Sequence, residues 1–172
     1  VRARPYLLEV RRQAGRFRLQ PELVMAVMHT ESYFDPMARS HVPAYGLMQL
    51  VPRYGARDAY RFLYSQDRLL TPAYLYTPAQ NIELGCAYLH LLFYKYFQRE
   101  VHPLKRLYLG IAAYNWGPTA VERQIVQRFP TTTMGPEGLY QVLRQRTPEE
   151  TRNYLQRVVE RMELYRPVFK RN

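Results

Sequence analysis

Thirteen prolines distributed along the chain are the feature that most constrains its fold. Proline is accepted in the first turn of a helix but breaks a helix interior, so prolines at intervals mark helix starts. Between them the apolar residues recur with a helical period, and no stretch alternates with period two as a strand would. The pattern predicts an all-α fold. The predicted helices span about 5–16, 21–31, 78–97, 103–114, 118–129, 136–144 and 148–165, with short helical turns at 47–50 and 53–62.

Size and charge restrict the classes of protein to consider. A chain of 172 residues with 47% hydrophobic residues suits one compact domain, which we place at residues 1–172. The net charge of +11 indicates attraction to a polyanion, such as nucleic acid, an anionic membrane surface or an acidic cell-wall polymer. Arginines supply nearly all of this charge and are spread evenly, which favours scattered solvated faces over one binding patch.

Several chemistries are disfavoured by the residues present. The four histidines and the single cysteine, Cys86, show no metal-ligand spacing, so we expect no metal site. Cys86 lies in an apolar helical pattern and is interpreted as a core residue. No glycine-rich phosphate loop and no serine nucleophile motif occurs, so we expect no nucleotide or other cofactor.

Glu31 ends an otherwise apolar helical run that begins at Pro21. Val24, Val27 and Met28 share its helix face, and that face must pack against other residues. Burial disfavours the charged form of a carboxyl group, which is how an enzyme keeps a general acid protonated near neutral pH. The alternative interpretation is an ordinary glutamate at a helix end, in contact with water.

Other polar groups stand in apolar helical surroundings. Tyr114 and Asn115 end a predicted helix just before Gly117, and Gln49 follows Gly46 by three residues. Tyrosines, sixteen in all, suit sugar rings because they combine an apolar face with a hydroxyl group. On spacing alone, Asn115 could be a helix cap, Tyr114 a core ring and Gln49 an exposed helix residue.

Five short motifs follow one another along the chain. They are Glu31-Ser32, Gly46-Leu47-Met48-Gln49, Asn81-Ile82-x-x-Gly85-x-x-Tyr88-Leu89, Ala113-Tyr114-Asn115-x-Gly117 and Glu150-Thr151-x-x-Tyr154. In this order they resemble the soluble-lytic-transglycosylase catalytic domain, glycoside hydrolase family 23, over residues 2–165. The opening residues 2–6, Arg-Ala-Arg-Pro-Tyr, and the insert at 58–78 are most similar to the membrane-bound lytic murein transglycosylase C group. The resemblance implies a single lysozyme-like (goose-type) helical domain with a substrate cleft.

The resemblance also implies roles for individual residues. Glu31 is expected to be the single catalytic acid and base, with no metal and no cofactor. The Asn81-to-Leu89 motif has a structural role in the family. Trp116 and Val42 depart from the family pattern. Trp116 implies a tighter cleft floor or a ring that stacks on a sugar, and Val42 implies that the assisting hydroxyl group is mainly that of Ser40. The side chains implied to contact the glycan are Ser40, Gln49, Tyr114, Asn115, Glu150 and Tyr154.

The implied reaction is cleavage of the β-1,4 bond between N-acetylmuramic acid and N-acetylglucosamine in peptidoglycan, with formation of 1,6-anhydromuramic ends. Asp35, the nearby second carboxylate, precedes Pro36 and is expected to cap a turn instead of taking part. In the membrane-bound group a further domain and a lipid anchor precede the catalytic domain. We therefore expect an upstream region to be absent from this sequence, and a periplasmic site of action in the bacterial envelope, with outer-membrane attachment and contacts with other cell-wall enzymes left open.

Three competing interpretations remain at this point. A goose-type lysozyme would share the fold but use water to attack the sugar. A non-catalytic module would bind the glycan without cutting it. An arginine-rich helical protein could bind nucleic acid, but it would need basic residues clustered on one helix. The even distribution of arginine and the apolar face beneath Glu31 argue against nucleic acid as a partner.

Overall fold

A computed structural model of the chain describes residues 2–170, and in that part the protein is helical without a named strand. The all-α prediction is confirmed. A 3₁₀ turn at Arg4–Tyr6 precedes the first helix. The helices are α1 (Leu7–Arg16), α2 (Pro21–Ser32), α3 (Gly55–Tyr64), α4 (Pro72–Leu75), α5 (Pro78–Leu91), α6 (Pro103–Trp116), α7 (Pro118–Val121), α8 (Pro136–Arg146) and α9 (Glu149–Lys170).

Prolines begin the helices as predicted. Each of α2, α4, α5, α6, α7 and α8 has proline as its first residue. Proline fits this position because its missing N–H would have no partner inside the helix. Pro167 departs from the rule that proline avoids a helix interior, since it lies inside α9. Pro167 lies close to the end of α9, where the loss of one backbone hydrogen bond costs least. The helix continues past it to Lys170, whereas the predicted helix ended at 165.

Four segments differ from the prediction, and the first is α4 (Pro72–Leu75), which no predicted helix covers. The helices expected at 78–97 and 118–129 both change to π-helical turns, at Leu92–Tyr96 and Glu122–Val126. The helical turn predicted at 47–50 is wrong. Gly46 and Gln49 both have positive φ, +79° and +49°, and Tyr45 pairs with Leu50 instead. A tight loop therefore stands where a helical turn was expected.

The chain divides into two compact units, and residues 2–90 and 159–170 make up the described part of the first. Helix α2 carries an unbroken buried run from Leu23 to Met28. A Cβ added to Gly85 of α5 would lie 2.2 Å from Sδ of Met48, so this glycine permits the close approach of the 45–50 loop. Cys86 is buried, as expected of a core residue, and burial raises the pKa of its thiol.

The second unit comprises residues 91–158, with α6, α7, α8 and the first turns of α9. Phe93 packs so closely on α6 that a Cβ on Gly110 would lie 1.8 Å from its ring. Lys105 is buried, and its ammonium group pairs with Glu100 at 3.3 Å and donates to the carbonyls of Thr131 and Met134. The expectation of one domain over 1–172 stays a prediction.

The described part of the chain has neither a membrane-spanning helix nor a metal-ligand cluster. None of its helices is both long and apolar enough to cross a membrane. Within residues 2–170, no group of three or more histidine, cysteine, aspartate or glutamate side chains could hold a metal ion.

Candidate active site

Glu31 lies in the last turn of α2 and is partly buried, as the apolar run predicted. The three residues that share its face, Val24, Val27 and Met28, are fully buried. The carboxyl group is thus carried on a helix whose position the core determines. The residue is partly buried, and a partly desolvated carboxyl group suits proton transfer.

Ser32, the next residue, fastens the end of α2 to the following loop. Its hydroxyl group lies 2.7 Å from the carbonyl oxygen of Leu47 and 3.1 Å from that of Met28. The single hydroxyl proton can be donated to one of the two carbonyls at a time. The serine of the Glu-Ser motif therefore links the predicted catalytic residue to the Gly-Leu-Met-Gln motif.

Asn81 of α5 holds the same loop from within the core. It is fully buried; its Oδ1 accepts from the backbone N–H of Met48 at 2.8 Å, and its Nδ2 donates to the carbonyls of Tyr45 and Leu75 at 2.9 and 2.7 Å. The amide of asparagine provides both the acceptor and the two donors that these backbone groups need. The structural role implied for this motif is found in the structure.

Gln49 closes the loop with its own side chain. Its Nε2 donates to the carbonyl oxygens of Ala38 and Gly46, each at 3.0 Å, and the residue is partly exposed. The interpretation of Gln49 as an exposed helix residue is therefore wrong. Both amide protons serve the loop, so the side-chain oxygen is the atom left for an external donor.

The segment between Glu31 and this loop carries Ser40 and Asp35, both exposed. Ser40 donates its hydroxyl proton to the carbonyl oxygen of Val42, in a short hydrogen bond. Its oxygen retains lone pairs that could accept from a ligand. Asp35 accepts from the backbone N–H of Met37 at 2.9 Å, which confirms the predicted turn cap.

The turn that follows α2 is strained. Tyr33 and Phe34 have φ values of +52° and +62°, in the left-handed region that bulky residues avoid. Each such residue costs about 1–3 kcal/mol unless its surroundings hold it in place. An aromatic cluster does so here, because the His29 ring lies 5.2 Å from Tyr33 and 5.5 Å from Phe34, and His29 Nδ1 is 3.0 Å from the hydroxyl of Tyr165.

Acid is expected to loosen this cluster through His29. Burial lowers the pKa of His29 below its usual value of 6.5, and the positive charge of Arg161 lowers it further. The unfolded chain therefore binds this proton more readily than the folded protein, so stability rises with pH in this range. We expect the free energy of unfolding to decrease as pH falls below about 6.5 towards the lower pKa of the folded protein.

Denaturant unfolding at pH 7, 6 and 5 would measure the effect. The His29→Gln variant should lose less stability over this interval than the wild type, because it has no imidazole to protonate. An identical pH dependence in both proteins would show that His29 is not the group responsible.

The remaining predicted residues lie in the second unit. Tyr114 and Asn115 lie in the last turn of α6, and Gly117 stands just beyond the helix, with φ of +90°, where a helix-ending glycine was expected. Asn115 Nδ2 donates to Glu150 Oε1 at 3.4 Å, and Thr151 donates to Asn115 Oδ1 at 2.9 Å. The Ala-Tyr-Asn and Glu-Thr motifs therefore meet. The amide of Asn115 is used in this contact and not as a cap.

The predicted residues are divided between the two units, with Glu31, Ser40 and Gln49 in the first and the others in the second. Tyr154 follows Glu150 by one helical turn and is buried, whereas Glu150 is exposed.

Thr151 was not assigned a role from sequence, although it belongs to the Glu-Thr-x-x-Tyr motif. Arg161 and His29 were also missed, and Arg161 was detectable as a cation beside the apolar stripe that contains Val158 and Met162.

The chain is similar to proteins of one known family. The model of the transglycosylase SLT domain family matches residues 9–133. A membrane-bound lytic murein transglycosylase C from Histophilus somni is 37% identical over 98% of this chain and 48% of its own length. A protein of the same name from Actinobacillus pleuropneumoniae is 38% identical, over 96% of this chain and 47% of its own.

Solved structures agree with the family match. An inactive glutamate-to-glutamine mutant of the lytic transglycosylase Slt from Pseudomonas aeruginosa superimposes with a TM-score of 0.77 and 28% identity, over 95% of this chain and 24% of that chain. The 70 kDa soluble lytic transglycosylase Slt70 from Escherichia coli has a TM-score of 0.73 at 24% identity, over 95% of this chain and 24% of that chain, which shows the shared fold.

The fold is therefore that of the helical domain found in lytic transglycosylases. The chain belongs to the transglycosylase SLT domain family, and the resemblance to the membrane-bound C group is confirmed. It spans about half the length of the curated relatives that it matches.

Proposed function

We propose that this protein cleaves the β-1,4 bond between N-acetylmuramic acid and N-acetylglucosamine in peptidoglycan, with Glu31 as the only catalytic acid and base. The observation that carries the proposal is the setting of Glu31. It is partly buried above a fully buried apolar face, and Ser32 ties it to the loop that contains Gln49. The names of the relatives support the substrate, and the inactive mutant of Slt supports an essential glutamate.

The reaction would proceed in two proton transfers. Neutral Glu31 donates its proton to the glycosidic oxygen, and the bond from that oxygen to the anomeric carbon breaks. The N-acetyl oxygen of the substrate assists by attacking the anomeric carbon, as in glycosidases that lack a second carboxylate. Ionised Glu31 then removes the proton of the muramic 6-hydroxyl group, whose oxygen bonds to the anomeric carbon and displaces the N-acetyl oxygen. The product is a 1,6-anhydro ring, and no water is consumed.

The local bonding of Asp35 supports a mechanism with one carboxylate. Asp35 is exposed and already accepts from the backbone of Met37, as expected for a residue that caps a turn. A nucleophile or base would need to face the sugar from the side opposite the general acid. The proposal therefore assigns the attacking groups to the substrate.

The substrate contacts that we propose follow from the remaining polar groups. Ser40 accepts from the muramic 6-hydroxyl or the acetamido group, and Gln49 accepts through its side-chain oxygen. Asn115 holds the acetamido group, and Tyr114 is a further contact with the glycan. Glu150 and Tyr154 bind the glycan near the cleaved bond.

The same proposal places the protein in the periplasm of a bacterial envelope, with attachment to the outer membrane through a further region. The net charge of +11 supports it, because peptidoglycan carries lactyl and peptide carboxylates. Related proteins that are named membrane-bound support the attachment.

Digestion of purified sacculi tests the proposal. The soluble fragments should carry anhydromuramic ends, lighter by one water than the reducing ends that a lysozyme leaves. Fragments with reducing ends would show that the protein is a hydrolase of the same fold and not a transglycosylase. Binding to sacculi without release of fragments would favour the non-catalytic module.

A further inference from the structure

Arg161 of α9 contacts Thr30, one residue before Glu31, and Tyr33, two residues after it. Its Nη1 donates to the hydroxyl oxygen of Thr30 at 3.0 Å, and its Nη2 donates to the hydroxyl oxygen of Tyr33 at 3.3 Å. The guanidinium carbon lies 5.2 Å from the centre of the Tyr33 ring, so the group also interacts with the ring. One side chain thus holds Thr30 and Tyr33 at once, 131 and 128 positions away in the sequence.

The two contacted residues leave little freedom for the backbone of Glu31. The Thr30 hydroxyl donates to the Ala26 carbonyl at 2.7 Å while it accepts from Arg161. Tyr33 has the left-handed conformation that ends α2, and its N–H donates to the carbonyl of His29 at 3.2 Å. The last turn of a helix otherwise frays. The bond from Arg161 to Tyr33 stabilises a conformation that tyrosine disfavours.

We propose that Arg161 is a positioning residue for Glu31, which it aligns by fixing Thr30 and Tyr33; this rests on the function proposed above. The planar guanidinium carries donors in a rigid fork and can serve both oxygens together. A lysine at this position keeps the positive charge but has a single ammonium group on a flexible stem. Lysine would therefore hold Thr30 or Tyr33, but not both in the same geometry.

The Arg161→Lys variant tests the assignment, with Arg166→Lys as its control. Arg166 is on the same helix, but it pairs with Glu22, in the first turn of α2, at 3.7 Å. With soluble peptidoglycan strands, Arg161→Lys should lower kcat about tenfold and leave KM within about twofold, since small misplacements of a catalytic group slow the chemical step. Arg166→Lys should leave both constants within about twofold of the wild type.

A double-mutant cycle separates positioning from a general loss of stability. The Thr30→Val variant removes the hydroxyl acceptor and preserves the shape of the side chain. Combined with Arg161→Met, which removes both guanidinium hydrogen bonds, it should be about as slow as Arg161→Met alone, because the bond to Thr30 is already lost. Multiplied losses, an unchanged kcat in Arg161→Lys, or a change confined to KM would overturn the proposal.

Hydrogen exchange of the Tyr33 amide provides a readout independent of catalysis. Exchange should be faster in Arg161→Lys than in the wild type and in Arg166→Lys, because the end of α2 opens more often. Equal exchange in all three proteins would overturn the positioning role. If the wild type leaves sacculi intact, the proposed function fails, and the exchange rates still decide whether Arg161 fixes this turn.

Discussion

Replacement of Glu31 by glutamine is expected to reduce the cleavage of sacculi by about ten-thousand-fold, the upper end of the range for general acid–base catalysis. Glutamine has nearly the shape of glutamate but can neither donate an acidic proton nor take one up. Because the proposed mechanism uses Glu31 first as the acid and then as the base, both halves of the reaction fail together. The rate of release of soluble fragments measures the effect.

The matched control is Glu22→Gln. Glu22 lies in the first turn of the same helix, and its carboxylate is 3.7 Å from Arg166. A partly exposed pair of this kind contributes about 1 kcal/mol or less, so this variant should retain nearly full activity. Wild-type activity in Glu31→Gln, with the variant folded, would contradict the assignment of Glu31.

The largest loss of stability is expected from Asn81→Leu. Leucine is similar in size but cannot bond the N–H of Met48 or the carbonyls of Tyr45 and Leu75. A buried polar group without a partner costs about 1–3 kcal/mol, and three are left here, so the loss should be about 4 kcal/mol. That is a large part of the total stability of a domain of this size. Urea unfolding would measure this loss of stability as a lower midpoint, with an unchanged dependence of the unfolding free energy on urea concentration.

Gln80→Leu makes a similar exchange one residue earlier on the same helix. Gln80 is partly exposed, so its loss should change stability by about 0.5 kcal/mol or less. An equal effect of the two substitutions would show that the buried hydrogen bonds of Asn81 are not what stabilises the loop.

The helices could be predicted from the sequence because the residues that begin and support each of them are close together in the chain. Proline at the first position of α2 and the apolar run behind Glu31 lie within twelve residues of each other. The partial burial of Glu31 followed from the same run. The Asp35 turn cap was also predictable, since the accepting carboxylate and the donating N–H are two residues apart.

The loop at 45–50 could not be predicted in the same way. Its shape depends on Asn81, a residue 33 positions beyond Met48, and on a glycine of α5 that gives Met48 room. Nothing in the local sequence around Gln49 reveals these partners. The π-helical turns at Leu92–Tyr96 and Glu122–Val126 were missed because apolar periodicity does not record the extra residue in such a turn.

The surroundings of Glu31 illustrate the same limit. The motif identified Glu31 and Ser32, whereas Arg161 and Tyr165 reach this turn from α9, more than a hundred residues later. Contacts of this kind depend on how one helix packs on another. Among the residues implied to contact the glycan, Asn115 and Glu150 meet, and Thr151 adds a second bond to Asn115; the sequence did not predict this contact.

The most direct measurement of the proposed chemistry is digestion of sacculi in water that carries a heavy oxygen isotope. If Glu31 directs the 6-hydroxyl group of the muramic acid to the anomeric carbon, the new ends contain no label and weigh one water less than reducing ends. Label in the reducing ends of the released fragments would mean that water attacks the sugar, and it would contradict the proposed reaction.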